Sequence, residues 1–291
     1  MQDLKPRTVK ILSVRIDSTS TERVLRFIRV SLENSKKFFI FTPNPEQILR
    51  AQTDEVYAKI LNSADISLPD GIGLIAAYKF LHLPTTHNLL LKPILYFAQG
   101  LGVGFSILFD REWLTKELKV IRGRDFFIKL IELANKEKWR VFLLGDSLDS
   151  AKKAKIALEK NYLNIKLYEA RGPDLDDDAN LRTIKDESVH IDAMKRINKA
   201  APQLLIIGFR APVQEKWLYR YLPQLNIGGA MVVGGTFDYI SGRKPLPPAW
   251  IADTGLEWLW RLLKGDQKAK RIINAFPKFA LKIYLTKLLQ K

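Results

Sequence analysis

The sequence predicts an α/β fold built on a largely parallel sheet with helices packed against it. Short apolar segments alternate along the chain with amphipathic segments of ten or more residues, which is typical of consecutive βαβ units. Several of the apolar segments end at glycine or proline, as expected where a strand stops. The chain has 291 residues, 47% of them hydrophobic, and is long enough to bury a substantial core.

The first part of the chain is predicted to contain three strands and two helices. Thr19 and Glu22 form a capping-box pattern, which predicts a helix that runs to about Glu33. In chain order, the elements are a strand over Val9–Ile16, this helix, a strand over Lys37–Thr42, a helix over Glu46–Asn62 and a strand over Asp65–Leu68.

The later part of the chain repeats the same alternation. In chain order, its elements are a helix over Arg124–Glu137, a strand over Arg140–Leu144, a helix over Ala151–Lys160, strands over Ile165–Tyr168 and Gln203–Ile207, and a last strand that contains Val232 and Val233. Because helices connect the strands, neighbouring strands should run parallel and their carboxyl ends should share one edge of the sheet.

An apolar segment, Leu89–Phe109, interrupts this alternation. Its 21 residues include one charge, Lys92, and the 17 residues from Pro93 onward carry none. Seventeen residues are at the lower limit for crossing a membrane, and three glycines and a proline weaken a straight helix. The alternatives are a helical hairpin packed on the core, a hairpin in the membrane interface, and a complete span.

A basic tail ends the chain. From Arg261 onward there are nine Lys or Arg and one acidic residue, which is half of the net charge of +16. Lysines 270, 278, 282 and 287 contribute to this charge, and Pro277 predicts a kink or boundary. One helical face is predicted from the spacing of Ile272, Phe276, Phe279 and Ile283. We therefore divide the chain into a core over 1–254, with an apolar insertion at about 85–119, and a basic amphipathic appendage over 255–291.

The composition excludes several kinds of site. There is no cysteine and there are three histidines, so Cys-ligated metals, a Cys nucleophile and a multi-His metal site are not expected. The positive charge indicates an anionic partner. The segment 1–16 is too polar and interrupted to be a signal peptide, so we expect the protein to remain in the cytoplasm.

Polar residues directly after predicted strands are the candidate ligand-binding residues, because ligands bind beyond the carboxyl ends of parallel strands. Thr42 and Asn44 follow one strand, where they could equally shape a turn and cap a helix. Asp70 follows another strand and, on its own, is more typical of a helix N-cap. Gly71 and Gly73 give a weak nucleotide-binding signal, because the third glycine of the dinucleotide motif is missing.

Two later turns provide further candidates. Gln214 and Glu215 follow the strand that ends before Gly208, and they could also be surface residues on the first turn of a helix. Gly234 and Gly235 follow the last strand and allow close backbone approach, either to a ligand or to a neighbouring strand.

Six blocks in sequence order resemble the WecG/TagA/CpsF family of bacterial glycosyltransferases of surface-polymer synthesis. The blocks are Thr42-Pro-Asn-Pro-Glu46, Ala64-Asp-Ile-Ser-Leu-Pro-Asp-Gly-Ile-Gly73, Phe142-Leu-Leu-Gly145, Gly208-x-x-Ala-Pro-x-Gln-Glu-Lys-Trp217, Val233-Gly-Gly-Thr-Phe-Asp238 and Gly255-Leu-Glu-Trp-Leu-x-Arg-Leu-Leu263. The resemblance covers about residues 9–84 and 122–264.

The resemblance implies a Rossmann-like nucleotide-binding core and an inverting, metal-independent transferase that uses no cofactor. Such enzymes move N-acetylmannosamine or a related sugar from a UDP-sugar to a polyprenyl-diphosphate-linked sugar at the cytoplasmic face of the membrane. By this resemblance Asp70 is the general base, and a basic appendage closes over the site and contacts the anionic membrane. The substrate-binding residues that it implies are Thr42, Asn44, Gly71, Gln214, Gly234, Gly235, Asp238 and Arg261.

The sequence departs from the family pattern between the second and third blocks. About 30 extra residues follow the Pro-Asp-Gly helix, and the family's Glu-Arg-Val-x-Gly-x-Asp stretch reads Lys119-Val-Ile-Arg-Gly-Arg-Asp125. Arg122 or Arg124 could replace the missing arginine, or the donor preference could differ. The identity of the sugar is therefore left open.

Other function classes fit the sequence less well. The net charge of +16 suggests a basic protein that binds nucleic acid or membranes without transferase activity, but no nucleic-acid motif is present. A dinucleotide-dependent oxidoreductase would need the Gly-x-Gly-x-x-Gly turn after the first strand. Asp70, Asn44 and Gln214 argue against a catalytically inactive membrane-binding scaffold. No nucleic-acid partner is expected, and the sequence predicts no oligomeric state.

Overall fold

The chain folds around a six-stranded parallel sheet. The structure is a computed structural model that describes residues 6–146, 148–248, 251, 257, 260 and 274–290. Its strands are β1 (Arg7–Ile11), β2 (Val14–Ser18), β3 (Phe38–Phe41), β4 (Ile66–Ser67), β5 (Arg140–Gly145), β6 (Lys166–Arg171), β7 (Leu204–Ile207) and β8 (Gly229–Val232). The sheet order is β4-β3-β8-β7-β5-β6, and every neighbouring pair is parallel.

Helices cover both faces of this sheet. In the described part of the chain, they are α1 (Thr21–Glu33), α2 (Pro45–Ala51), α3 (Glu55–Asn62), α4 (Ile72–His82), α5 (Leu91–Phe109), α6 (Arg111–Thr115), α7 (Gly123–Lys136), α8 (Ser150–Glu159), α9 (Ile184–Ala200), α10 (Val213–Tyr221), α11 (Thr236–Ile240) and α12 (Phe279–Leu289). Alternate residues of β7 enter two separate cores, Leu205 and Ile207 on one face and Leu204 and Ile206 on the other. The predicted α/β, Rossmann-like fold is confirmed.

The first predicted strand is wrong. Val9–Ile16 is not one strand, because β1 and β2 form an antiparallel hairpin outside the main sheet. The chain reverses at Leu12 and Ser13, and Leu12 has a φ of 55°. Buried Asp17 then joins the hairpin to β4, because its carboxylate accepts a hydrogen bond from the Ser67 backbone N–H (2.8 Å).

Two polar side chains set helix boundaries that differ from the prediction. Ser20, not Thr19, caps α1, because its Oγ accepts a hydrogen bond from the backbone N–H three residues on (3.3 Å). The single helix predicted over Glu46–Asn62 is two helices, α2 and α3. Asp54 begins α3 by accepting a hydrogen bond from the Tyr57 backbone N–H (2.9 Å). Short polar side chains bind nearby backbone groups in this way and thereby favour caps over helix interiors.

The apolar insertion contains one long helix, α5, so the predicted helical hairpin is wrong. α5 contains three glycines, which would weaken an isolated helix. Its contacts with α4 and α12 stabilise it in the folded protein. Tyr96 and Val103 are its buried residues, and most of its other apolar side chains are exposed. α5 is long and apolar enough to cross a membrane, judged by its length and composition alone. Within its apolar stretch of 18 residues, 11% is buried inside the protein.

The C-terminal helix α12 packs on α4 and α5. A π-helical turn that contains Pro277 precedes it, which agrees with the boundary predicted at that proline. The predicted apolar face is divided: Phe279 and Ile283 are buried, whereas Phe276 is exposed. Ile272 lies outside the described residues. Phe279 and Ile283 are therefore used in packing the helix onto the protein.

Lys287 is fully buried, so the expectation that it belongs to the charged surface of the tail is wrong. Its ammonium donates hydrogen bonds to the Phe80 carbonyl (2.6 Å), the Leu83 carbonyl (3.0 Å) and Gln99 Oε1 (2.7 Å). Burial lowers the pKa of Lys287 to about 8. The three acceptors join α12 to the end of α4 and to α5.

Replacing Lys287 with methionine is expected to loosen α12. Methionine fills a similar volume but removes the donor of the Leu83 carbonyl and Gln99 Oε1, whereas the Phe80 carbonyl keeps the Leu83 backbone N–H. Each unsatisfied buried polar group costs about 1–3 kcal/mol. Limited proteolysis should therefore cut the 279–290 segment faster than in the wild type. Lys282→Met, at an exposed position on the same helix, is the control. Equal cleavage of the two variants would contradict this role for Lys287.

Candidate active site

Four loops meet at the carboxyl edge of the sheet. β4, β3, β8 and β7 are consecutive neighbours, so the loops that follow them lie side by side. These loops begin at Leu68, Thr42, Val233 and Gly208. The structure therefore brings the strand ends that carry most of the predicted site residues to one place.

Asp70 is held between the loop after β3 and the start of α7. Its backbone N–H donates to the Pro43 carbonyl (3.0 Å), and its Oδ1 accepts a weak hydrogen bond from the Gly123 backbone N–H (3.4 Å). The residue at the N-cap of α4 is Gly71, with a φ of 106°, and no side chain caps this helix. The interpretation of Asp70 as a helix N-cap is therefore wrong, and only glycine adopts the Gly71 conformation readily.

Thr42 and Asn44 have clear structural roles. Thr42 is buried beneath the start of α7, where a Cβ added to Gly123 would lie 3.1 Å from the Thr42 hydroxyl. Asn44 caps α2 in a capping box: its Oδ1 accepts from the Gln47 backbone N–H (3.1 Å), and Gln47 Oε1 accepts from the Asn44 backbone N–H (3.0 Å). The helix-capping alternative is thus confirmed for Asn44, and its contact with substrate stays a prediction.

Gln214 and Glu215 lie inside the protein, so the alternative that they are surface residues is wrong. Gln214 Oε1 accepts from the Gly234 backbone N–H (2.9 Å), which ties α10 to the loop after β8. Glu215 Oε1 accepts from Gln214 Nε2 (2.8 Å) and from Gln47 Nε2 (2.7 Å). The Gln47 amide also donates to the Tyr57 hydroxyl (2.9 Å). Complete burial raises the pKa of Glu215 to about 7, against the hydrogen bonds that stabilise its charged form.

The turn after β8 depends on glycine. Gly234 has a φ of 55°, and Gly235 directly precedes α11. Asp238, in the first turn of α11, is buried and forms an ion pair with Arg243 (2.8 Å). Asp238 therefore stabilises this turn from within the protein, and its contact with substrate stays a prediction.

A comparison of the whole sequence with protein families identifies the chain. The model of the glycosyl transferase WecG/TagA/CpsF family matches residues 9–90 and 101–291. The chain belongs to this family. The break in the match, 91–100, falls in the first half of α5.

Curated relatives from two bacteria carry the same name, N-acetylglucosaminyldiphosphoundecaprenol N-acetyl-beta-D-mannosaminyltransferase. The protein from Bacillus subtilis (strain 168) is 28% identical over 244 residues, which are 84% of this chain and 78% of the relative. The protein from Staphylococcus aureus (strain MW2) is 25% identical over 277 residues, which are 94% of this chain and 91% of the relative. As a member of the WecG/TagA/CpsF family, the chain is a glycosyltransferase.

Three arginines near the candidate site, all within the described residues, are paired with carboxylates. Arg122 pairs with Asp125 (3.3 Å), and Arg124 pairs with Glu257 (3.1 Å). Arg210, after β7, pairs with Asp177. Arg261 lies outside the described residues.

The sequence did not point to several other residues around the candidate site. Gln47 stands three residues after Asn44, and this capping-box spacing could have identified it. Gly123 occupies the glycine position of the family's Glu-Arg-Val-x-Gly-x-Asp stretch, and this match could have identified it. Tyr57 and the buried role of Glu215 have no local signal, because both depend on helices far apart in sequence. Across the described ranges, no group of three or more His, Asp or Glu side chains is arranged to hold a metal ion.

Proposed function

We propose that the chain is an inverting glycosyltransferase that moves N-acetylmannosamine or a related hexose from a UDP-sugar to a polyprenyl-diphosphate-linked sugar. This reaction would serve the synthesis of a cell-surface polysaccharide or teichoic-acid-like polymer. The observation that supports it is the position of Asp70 between the loop after β3 and the start of α7, at the edge where parallel sheets bind ligands. The names of the relatives supply the sugar and the lipid-linked acceptor.

The proposed reaction is a single displacement. The acceptor hydroxyl attacks the anomeric carbon of the donor, the bond from this carbon to the diphosphate breaks, and UDP leaves from the opposite face. Asp70 takes the hydroxyl proton as the general base. The residues proposed to bind substrate are Thr42, Asn44, Gly71, Gln214, Gly234, Gly235, Asp238 and Arg261.

A donor panel tests this proposal directly. The full-length protein is incubated with several UDP-sugars and a short-chain polyprenyl diphosphate that carries N-acetylglucosamine, and the products are analysed by mass spectrometry. We expect one added N-acetylhexosamine and released UDP, with the product in the β configuration by NMR. Salt-sensitive binding to DNA without any sugar transfer would instead favour the alternative, a basic binding protein without transferase activity.

Transfer is expected to continue at its full rate in excess EDTA. The described residues offer no cluster for a divalent ion on the diphosphate, and arginine can stabilise phosphate oxygens in its place. Initial rates with EDTA, with added Mg²⁺ and with neither should agree. A strict requirement for Mg²⁺ or Mn²⁺ would contradict this prediction.

We propose that an anionic membrane surface is a partner and that the protein acts peripherally at the cytoplasmic face of the cell membrane. The exposed apolar side of α5 is the proposed contact, with Leu101 61% exposed and Phe105 63% exposed. Tyr284 donates a hydrogen bond to the Pro93 carbonyl (3.2 Å), and Lys287 bonds to Gln99. These bonds hold the other side of α5 against the protein, which favours a helix lying in the membrane interface over one crossing it.

Replacing Leu101 and Phe105 together with aspartate is expected to lower binding to phosphatidylglycerol vesicles at least tenfold. Burial of each apolar side chain contributes about 1.5–3 kcal/mol, and each new charge is repelled by the anionic surface. Flotation with vesicles measures the bound fraction. Ile156→Asp is the matched control, because Ile156 is 52% exposed on α8. Wild-type flotation of the double variant would place the membrane contact elsewhere.

A further inference from the structure

Glu215 joins two loops of the candidate active site through two glutamines. Both glutamine amides donate to the same atom, Glu215 Oε1, from Gln47 Nε2 (2.7 Å) and from Gln214 Nε2 (2.8 Å). Gln47 belongs to α2, after β3, and Gln214 belongs to α10, after β7. The carboxylate thus lies where the helices that follow two different strands converge.

This single acceptor atom also determines which way both amides face. With their NH2 groups on Glu215, the two glutamines direct Oε1 atoms at backbone N–H groups, of Asn44 (3.0 Å) and of Gly234 (2.9 Å). If either amide rotated by half a turn, its NH2 group would face an N–H donor and would lose both hydrogen bonds. Both backbone positions lie in loops that carry predicted substrate-binding residues.

We infer that Glu215 is a positioning residue, whose Oε1 fixes the loop after β3 and the loop after β8 in the arrangement that binds the UDP-sugar. This inference rests on the proposed function for the identity of the ligand. Glu215 is fully buried, so it acts through the two glutamines and does not touch the substrate.

The role requires an acceptor oxygen rather than a charge. Since Gln47 and Gln214 use the same oxygen, a proton on Oε2 would leave both hydrogen bonds in place. A glutamine side chain at this position also supplies one carbonyl oxygen, whereas leucine supplies none. Glu215→Gln and Glu215→Leu therefore separate a role in positioning the loops from a role in proton transfer.

Glu215→Leu is expected to raise the KM for the UDP-sugar roughly tenfold, the effect of losing a hydrogen bond of ordinary strength. The kcat should change by less than about threefold, because the reacting groups are retained. Glu215→Gln should keep KM and kcat close to the wild-type values. A Glu215→Gln variant that loses turnover as completely as an Asp70 variant would overturn the positioning role.

Hydrogen exchange followed by mass spectrometry tests the same inference without substrate. Peptides covering 42–48 and 228–238 should both exchange faster in Glu215→Leu and at the wild-type rate in Glu215→Gln. Gln47→Leu removes the hydrogen bond between Gln47 and Glu215 but keeps the one between Gln214 and Glu215, so 42–48 should exchange faster while 228–238 stays protected. This variant keeps the test decisive if Glu215→Leu does not fold. Unchanged exchange in both leucine variants would overturn the inference. If the wild-type protein uses no UDP-sugar, the proposed function fails, while the exchange result still decides the role of Glu215.

Discussion

Asp70→Asn is expected to lower kcat by roughly 10²–10⁴-fold while the protein stays folded and still binds UDP. The attacking hydroxyl must lose its proton as the new glycosidic bond forms, and a carboxamide cannot accept that proton. Asparagine retains an Oδ1 atom that can accept the hydrogen bond from the Gly123 backbone N–H, so the local structure should persist. Single-turnover rates together with UDP titration calorimetry separate the chemical step from binding.

Asp146→Asn is the matched control for this substitution. Asp146 also follows a strand of the parallel sheet, β5, and its Oδ1 accepts a hydrogen bond from the Leu148 backbone N–H (3.0 Å). Asparagine can accept the same bond, so turnover should stay near the wild-type rate. If Asp70→Asn were as active as this control, Asp70 would be a structural residue of the loop and not the base.

The parallel sheet was predictable because its signals are local. Each strand is a short apolar segment, and each helix carries its own amphipathic pattern. The hairpin of β1 and β2 was not predictable in the same way, because its turn, Leu12-Ser13, contains neither glycine nor asparagine. Without a turn signal, Val9–Ile16 resembles one strand.

The apolar face of the tail shows what sequence periodicity cannot decide. Phe279 and Ile283 have a spacing that suits a membrane surface and a protein core equally well. Their burial depends on α4 and α5, which are distant in sequence. Lys287 is a similar case, because lysine is almost never fully buried unless its ammonium finds partners. Those partners come from two other parts of the chain, the end of α4 with Phe80 and Leu83, and α5 with Gln99.

The sequence was sufficient to predict which loops form the candidate site, but not every residue in it. The rule for parallel sheets correctly placed Asp70 beside the residues after β3, but Glu215 required the three-dimensional arrangement. A glutamate in the first turn of a helix is usually exposed. Here α2, α3 and α10 converge on it and supply Gln47, Tyr57 and Gln214.

Arg261→Ala is expected to lower kcat by roughly 10²–10³-fold, the usual cost of removing a group that stabilises charge developing in the transition state. Negative charge grows on the UDP diphosphate as the sugar leaves, and a guanidinium can bind two of its oxygens at once. We propose this role for Arg261, the first arginine of the appendage by the family motif. The affinity for UDP-sugar before the reaction should fall much less than kcat, because the interaction strengthens as the bond breaks.

The same experiment on the other arginines near the candidate site tests whether the effect is specific to Arg261. Arg124 and Arg210 are each bound to a carboxylate, so a leaving diphosphate would have to compete with an existing ion pair. Arg124→Ala and Arg210→Ala should therefore reduce kcat less than Arg261→Ala does. Lys278→Ala, at an exposed position in the same tail, serves as the control for general loss of charge, because one surface cation near an anionic membrane contributes at most about 1 kcal/mol. The prediction would be wrong if Arg261→Ala had the same kcat as Lys278→Ala while Arg124→Ala or Arg210→Ala lost turnover. The arginine whose loss lowers kcat would then be the one that exchanges its carboxylate for the leaving diphosphate.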